Sequence, residues 1–179
     1  LILAGGYGTR LKSVLKDKPK ILAPVDNSTF LDFQIKNFVN QKFYSFIFLL
    51  HYKAIEIQSH LKRINEEYFN KLEIKIVIEN KPLGTGGSIL NAVKQLSLKE
   101  EFLLINGDTW IDSGFSKIRS AHSSSVAVVE VKNNGRYGSI KLDSDDNIIE
   151  FSEKKIGTFG LINSGLLKFY PNDLTNFTS

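Results

Sequence analysis

The chain opens on an apolar run, Leu1-Ile2-Leu3-Ala4, that stops at two glycines and continues as Gly5-Gly6-Tyr7-Gly8-Thr9-Arg10. This junction constrains the fold more than any other feature. The run reads as a short buried strand. The glycines let the backbone turn tightly at its carboxyl end and bring several N–H groups to face one anion. Arg10 then supplies a planar fork suited to phosphate. A glycine-rich loop at the end of a first strand is a common phosphate cradle in α/β proteins.

The pattern downstream agrees with that start. Ser28 is positioned to cap a helix over residues 29–41, with Leu31, Ile35, Phe38 and Val39 on its apolar face. Residues 46–50 form an apolar run of strand length, and 54–64 carry Ile57, Leu61 and Ile64 at helical spacing. Residues 74–78 read as a strand, 88–96 as a helix opening on glycines, and 102–105 as a strand ending at Asn106-Gly107-Asp108. This alternation predicts an α/β fold with a Rossmann-like, mostly parallel sheet and helices on both faces. After Asp108 the rhythm changes. Residues 125–132 read as a β-branched strand, 137–142 and 147–153 as a hairpin around Asp143-Ser144-Asp145-Asp146, and 160–170 as a further strand. A mixed-sheet region therefore merges with the parallel one. The expectation is a single domain over 1–179, built of a parallel part at 1–108 and a mixed-sheet part at 109–179.

Composition narrows the function classes. At 179 residues and 42% apolar content the chain has enough material for one sizeable core. The net charge of +4 is scattered rather than clustered, which predicts no nucleic-acid partner and suits an anionic small substrate. No apolar run reaches membrane-spanning length, so no membrane partner is expected. The absence of cysteine excludes disulfides and thiolate metal sites. With no signal segment in view, a cytoplasmic setting is the expectation. The chain contains no Met and begins on a bare apolar strand, so either its ends are missing or methionines have dropped out of it.

Two familiar phosphate-binding motifs do not fit the first loop. A dinucleotide fingerprint needs a third glycine that is not there, and a P-loop needs Lys-Ser/Thr where Thr9-Arg10 stand. The full string Gly-Gly-Tyr-Gly-Thr-Arg-Leu (5–11) instead resembles the signature loop of sugar-1-phosphate nucleotidyltransferases. The resemblance continues in order. Pro19-Lys20-Ile21-Leu22-Ala23-Pro24-Val25 is similar to the family's lysine segment, with Ile21 in place of its usual second proline. Residues 79–87, Glu-Asn-Lys-Pro-Leu-Gly-Thr-Gly-Gly, resemble its nucleobase and ribose loop, and Asn106-Gly107-Asp108-Thr109 its metal-binding turn. Tyr137-Gly138, Glu153-Lys154 and Asn163-Ser164-Gly165 resemble its sugar-phosphate side. The match covers nearly the whole chain and resembles most the bacterial heptose and mannose 1-phosphate guanylyltransferases.

The resemblance implies transfer of a nucleoside monophosphate, GMP from GTP first, to a heptose or mannose 1-phosphate for cell-surface glycan precursors, such as those of capsule or lipopolysaccharide. CTP with phosphocholine, dTTP with glucose 1-phosphate, and a non-catalytic nucleotide-sugar sensor stay open as alternatives. It implies catalytic roles for Arg10, Lys20 and Asp108. Nucleotide contacts fall to Leu3, Ala4, Gly5, Gly6, Gly8, Thr9, Arg10, Lys20, Glu79, Gly84, Thr85 and Gly86. Sugar-phosphate contacts fall to Gly138, Glu153, Lys154 and Asn163, so the resemblance implies a nucleotide-binding half at 1–108 and a sugar-phosphate-binding half at 109–179, the latter incomplete at its C-terminus. Mg²⁺ is the implied cofactor, held by Asp108, because a hard carboxylate at a strand end suits an ion that takes its other ligands from water and phosphate. The family's second metal carboxylate has no counterpart after Asn163, where Asp173 reads as a turn residue. A homo-oligomer is left open. His51, His60 and His122 show no metal spacing and receive no role, and Trp110 is assigned to packing.

Overall fold

The computed structural model describes residues 1–8, 15, 18–135, 137–152 and 159–174. Its strands are β1 (Ile2–Leu3), β2 (Pro24–Val25), β3 (Ser28–Thr29), β4 (Ser45–Leu50), β5 (Glu73–Ile78), β6 (Phe102–Asn106), β7 (Ser125–Val131), β8 (Ser139–Leu142), β9 (Ile148–Ser152) and β10 (Gly160–Phe169). Its helices are α1 (Phe30–Asn40), α2 (Ala54–Glu67), α3 (Gly84–Leu96), α4 (Phe115–Arg119) and α5 (Pro171–Leu174).

Strands β5, β4, β1 and β6 lie side by side and parallel, the α/β arrangement that the sequence rhythm predicts. Alternation along β4 shows why both faces need helices. Phe46, Phe48 and Leu50 point to one side, where they pack with Leu31, Ile35 and Phe38 of α1 and with Ile57, Leu61 and Ile64 of α2. Ile47 and Leu49 point to the other, with Val77 of β5 and against Ala92 of α3. Among the described residues no helix is long and apolar enough to cross a membrane.

Beyond β6 the sheet turns antiparallel. The C-terminal half of β10 pairs with β6 and its N-terminal half with β8, while β7 runs along its opposite edge. The β8–β9 hairpin closes on Asp143, whose Oδ1 accepts the N–H groups of Asp145 and Asn147 at 2.9 and 2.8 Å.

Three expectations are corrected locally. The cap of α1 is Thr29, not Ser28. Thr29 Oγ1 accepts from the Asp32 N–H while the Asp32 carboxylate accepts from the Thr29 N–H, a reciprocal capping box, and Ser28 donates to Asp32 instead. Helix α3 begins at Gly84, four residues before Ser88, because the glycines on which the helix was expected to open form its first turn. Asp173 lies within the short α5, where it accepts from the Ser124 hydroxyl.

Candidate functional site

A cleft of about 590 Å³ opens where the parallel strands end. Carboxyl ends of parallel strands are where open α/β sheets bind ligands. One wall is the loop after β1, with Leu3, Ala4, Gly5, Gly6 and Gly8 all lining the space. The loop is pinned at its start, where the Ala4 N–H donates to Leu49 O at 2.9 Å. Its far end rests on Lys20, the first residue of a tight turn spanning Lys20–Leu22.

Lys20 donates to the carboxylate of Asp108 across the cleft, joining two segments 88 positions apart. Asp108 is carried by the turn that follows β6, and Gly107 explains how that turn sits so low. Its N–H donates to Leu3 O at 2.8 Å, and a Cβ on Gly107 would lie 2.7 Å from that same oxygen. Only glycine fits there. From behind, α1 and the residue capping its C-terminus hold the stretch after the turn with a row of side-chain amides. Gln34, Asn37 and Gln41 donate to the carbonyls of Thr109, Ile111 and Asp112 at 2.9, 2.6 and 3.3 Å.

The opposite wall comes from β5 and the start of α3. Glu79 is buried, and its carboxylate accepts from the Leu83 N–H at 3.2 Å, so one of its oxygens shapes the loop it belongs to. Gly84, Thr85 and Ser88 line the cleft. No side chain among the described residues caps the first turn of α3, which leaves its N–H groups and positive dipole end available to a ligand.

The structure thus brings together Leu3, Ala4, Gly5, Gly6, Gly8, Lys20, Glu79, Gly84, Thr85 and Asp108 around one space. Gly86 lies one step further along α3, outside the lining. Thr9, Arg10, Glu153 and Lys154 lie outside the described residues. Gly138 and Asn163 do not line the cleft; the β8–β10 register sets them level with each other on the antiparallel side. Asn163 Oδ1 accepts from the Gly165 N–H at 2.8 Å. Gly165 in turn packs against Asn106 and Thr109, so this motif touches the turn that carries Asp108. Trp110 is half exposed with its edge toward Phe30, 6.4 Å between centroids.

His51, assigned no role from sequence, is a lining residue of the cleft. A lone histidine after a strand carries no spacing signal. The signal lies in the pairing of β4 with β5, which sets Leu50 opposite Ile78 and so brings His51 beside Glu79. Among the described residues no group of three acidic or histidine side chains gathers around a common point. Asp108 is instead a single, partly exposed carboxylate oxygen donor.

Comparison with known proteins agrees with this geometry. Residues 1–174 match the nucleotidyl transferase family. The chain is 38% identical over 167 residues to a D-glycero-alpha-D-manno-heptose 1-phosphate guanylyltransferase of Campylobacter jejuni, covering 93% of this chain and 73% of that one. It is 33% identical to the protein of the same name from Aneurinibacillus thermoaerophilus, covering 93% and 72%. The crystal structure of HddC from Yersinia pseudotuberculosis superposes with a TM-score of 0.84 at 35% identity, over 99% of this chain and 79% of that one. The same protein complexed with GMP-PN gives 0.82.

Proposed function

The chain belongs to the nucleotidyl transferase family, and from that membership we propose that it transfers GMP from GTP to a heptose or mannose 1-phosphate, releasing pyrophosphate. The observation that carries the reading is the cleft itself. A glycine-rich loop, a lysine–aspartate pair and an uncapped helix N-terminus face one space at the carboxyl ends of parallel strands. The guanine and heptose parts are supported by the names of the Campylobacter and Aneurinibacillus relatives and by the nucleotide in the HddC complex.

In the reaction a phosphate oxygen of the sugar 1-phosphate attacks the α-phosphorus of the nucleotide. The new P–O bond forms as the bond to the bridging oxygen of the β-phosphate breaks, and pyrophosphate departs with that electron pair. Such transfers depend on alignment and on neutralising crowded negative charge. We assign the backbone N–H groups of residues 5–8, with Thr9 and Arg10, to the leaving phosphates. Lys20 adds a point charge to the same groups. Glu79 and residues 84–86 hold the base and ribose. Gly138, Glu153, Lys154 and Asn163 are assigned to the sugar phosphate, so that residues 1–108 serve the nucleotide and residues beyond them the acceptor.

Asp108 fits a divalent cation by its donor chemistry, a hard carboxylate at a strand end that reaches the cleft. It would hold Mg²⁺, which when bound neutralises phosphate charge during transfer. The protein then acts in nucleotide-sugar synthesis for cell-surface glycans, in the cytoplasm.

Pyrophosphate release from a matrix of GTP, dTTP, CTP, UTP and ATP against heptose, mannose and glucose 1-phosphates tests the reading. GTP with heptose or mannose 1-phosphate should exceed every other pair by at least about tenfold, the scale set by one lost polar contact to the base or sugar. A pyrimidine nucleotide as the preferred donor would remove the guanylyl assignment and keep the transferase class.

A further inference from the structure

Two loops assigned to different ends of the nucleotide meet at one side chain. His51 follows β4 directly. Its Nδ1 lies 2.8 Å from the carbonyl oxygen of Glu79, where the base-side loop begins. Its Nε2 lies 3.0 Å from the phenol oxygen of Tyr7, inside the glycine-rich loop. A carbonyl oxygen can only accept, so Nδ1 carries the ring proton. In the neutral ring Nε2 then presents its lone pair, and the Tyr7 hydroxyl donates to it. Tyr7 also stands edge-on to the imidazole at 5.5 Å between centroids and leans on Tyr52 at 5.3 Å. Tyr7 is 48% exposed. Burial alone therefore does not place it, and the ring contacts and the hydrogen bond do.

We propose that His51 is a positioning residue that braces the phosphate-side loop against the base-side loop, so that a nucleoside triphosphate meets both walls already in register. The proposal rests on the nucleotidyl-transfer reading of the same cleft. Two separately mobile walls would each lose conformational freedom when one ligand bridges them. A pre-formed link removes part of that cost from binding. The bonds of His51 run to Tyr7 and Glu79, both on the walls assigned to the nucleotide, and not to Gly138 or Asn163 on the side assigned to the sugar phosphate. The brace therefore acts on nucleotide affinity and leaves acceptor affinity alone.

Calorimetric titration of the whole chain with GTP, UTP, CTP, dTTP and ATP first identifies its tightest nucleotide. His51→Ala, Tyr7→Phe, the double variant and His51→Asn are then titrated with that nucleotide, and melting curves confirm folding. One lost hydrogen bond corresponds to about threefold weaker binding for Tyr7→Phe, and two to about tenfold for His51→Ala. The double variant should bind no more weakly than His51→Ala, because both changes cut the same connection. Asparagine keeps a donor for the Glu79 carbonyl and offers nothing to Tyr7, so His51→Asn should match Tyr7→Phe even if the alanine variant folds poorly. KM for the sugar phosphate should stay within about twofold of wild type in all of them.

Independent effects that multiply in the double variant would overturn the brace. So would His51→Ala binding as tightly as wild type, or a rise confined to the sugar-phosphate KM. A tightest nucleotide other than GTP would overturn the guanine assignment and not the brace, which is read from the variants. A wild-type chain that bound no nucleotide would overturn both.

Discussion

At the scale of single residues, Asp108 and Lys20 show how stability and chemistry separate. Their ion pair is partly exposed at both ends, 39% and 42%. Exposed pairs contribute up to about 1 kcal/mol, because water screens them and two flexible side chains must be ordered. A carboxylate that would hold a cation against the reacting phosphates is worth far more in the transition state. Asp108→Asn should therefore melt close to wild type yet lose at least about 10²-fold in turnover. Turnover within a few-fold of wild type, measured by pyrophosphate release, would remove Asp108 from the reaction. Both residues are legible in the sequence because each stands in a run of neighbours with its own logic, Lys20 after a proline and Asp108 after a strand and a glycine. His51 is not, since its partners arrive through the β4–β5 register and the loop after β1. Glu79 was legible as a candidate and lines the cleft, but its bond to the Leu83 N–H was not legible.

At the scale of elements, α1 does two jobs that its apolar stripe does not announce. Its amides Gln34 and Asn37, with Gln41 capping its C-terminus, dock the segment after Asp108. Its first turn holds Asp32, which ties α1 to α2 through His60 at 2.9 Å and Arg63 at 3.2 Å. Periodicity reads the apolar contacts of a helix well. It reads its polar contacts poorly, because donors and acceptors are indistinguishable from solvated residues until the partner element is placed. The same limit misplaced the cap on Ser28. Burial opposes the ionisation of Asp32. The hydrogen bonds from the Thr29 and Ser28 hydroxyls and the Thr29 N–H, with the attraction of His60, outweigh it and lower the carboxyl from 3.8 to about 2. A depressed carboxyl stabilises the fold above its unfolded pKa, and that stability drains away as pH falls through its folded pKa. The contribution is on the order of 2 kcal/mol above about pH 5, and roughly half of it is gone near pH 3. Denaturant unfolding of wild type and Asp32→Asn should show that gap at neutral pH and a gap narrower by about 1 kcal/mol near pH 3. A gap that stays constant with pH would mean that the carboxylate's charge is not what holds the two helices.

At the scale of the whole molecule, the parallel half and the antiparallel half are joined through β10. The parallel half was legible because its strands and helices alternate along the sequence, although the pairing of β1 with β6 joins strands far apart in it. The placement of β10 was not, since its partners β6, β7 and β8 are reached only by long-range antiparallel pairing. The join has a defined point of contact with the cleft. The register of β10 with β7 shifts between Asn163 and Leu167, and Gly165 sits within that irregularity at φ +86°. A Cβ there would lie 3.3 Å from Asn106 Nδ2 and 3.3 Å from both Oγ1 and Cγ2 of Thr109. Glycine is thus required twice, for the left-handed backbone and for the space above the turn that carries Asp108. Gly165→Ala should cost about 1–2 kcal/mol from the backbone alone, a fall of roughly 2–8 °C in melting temperature for a chain of this size. The crowding is a separate effect, because it pushes on the Asn106–Thr109 turn and should lower turnover by about tenfold through misplacement of Asp108. Adding Thr109→Ala removes two of the three crowding atoms and leaves the backbone strain untouched. The double variant should therefore regain turnover without regaining its melting temperature. Recovery of both together would mean that strain in β10 alone explains the loss. A Gly165→Ala protein that melted and turned over like wild type would mean that the antiparallel half exerts no hold on Asp108.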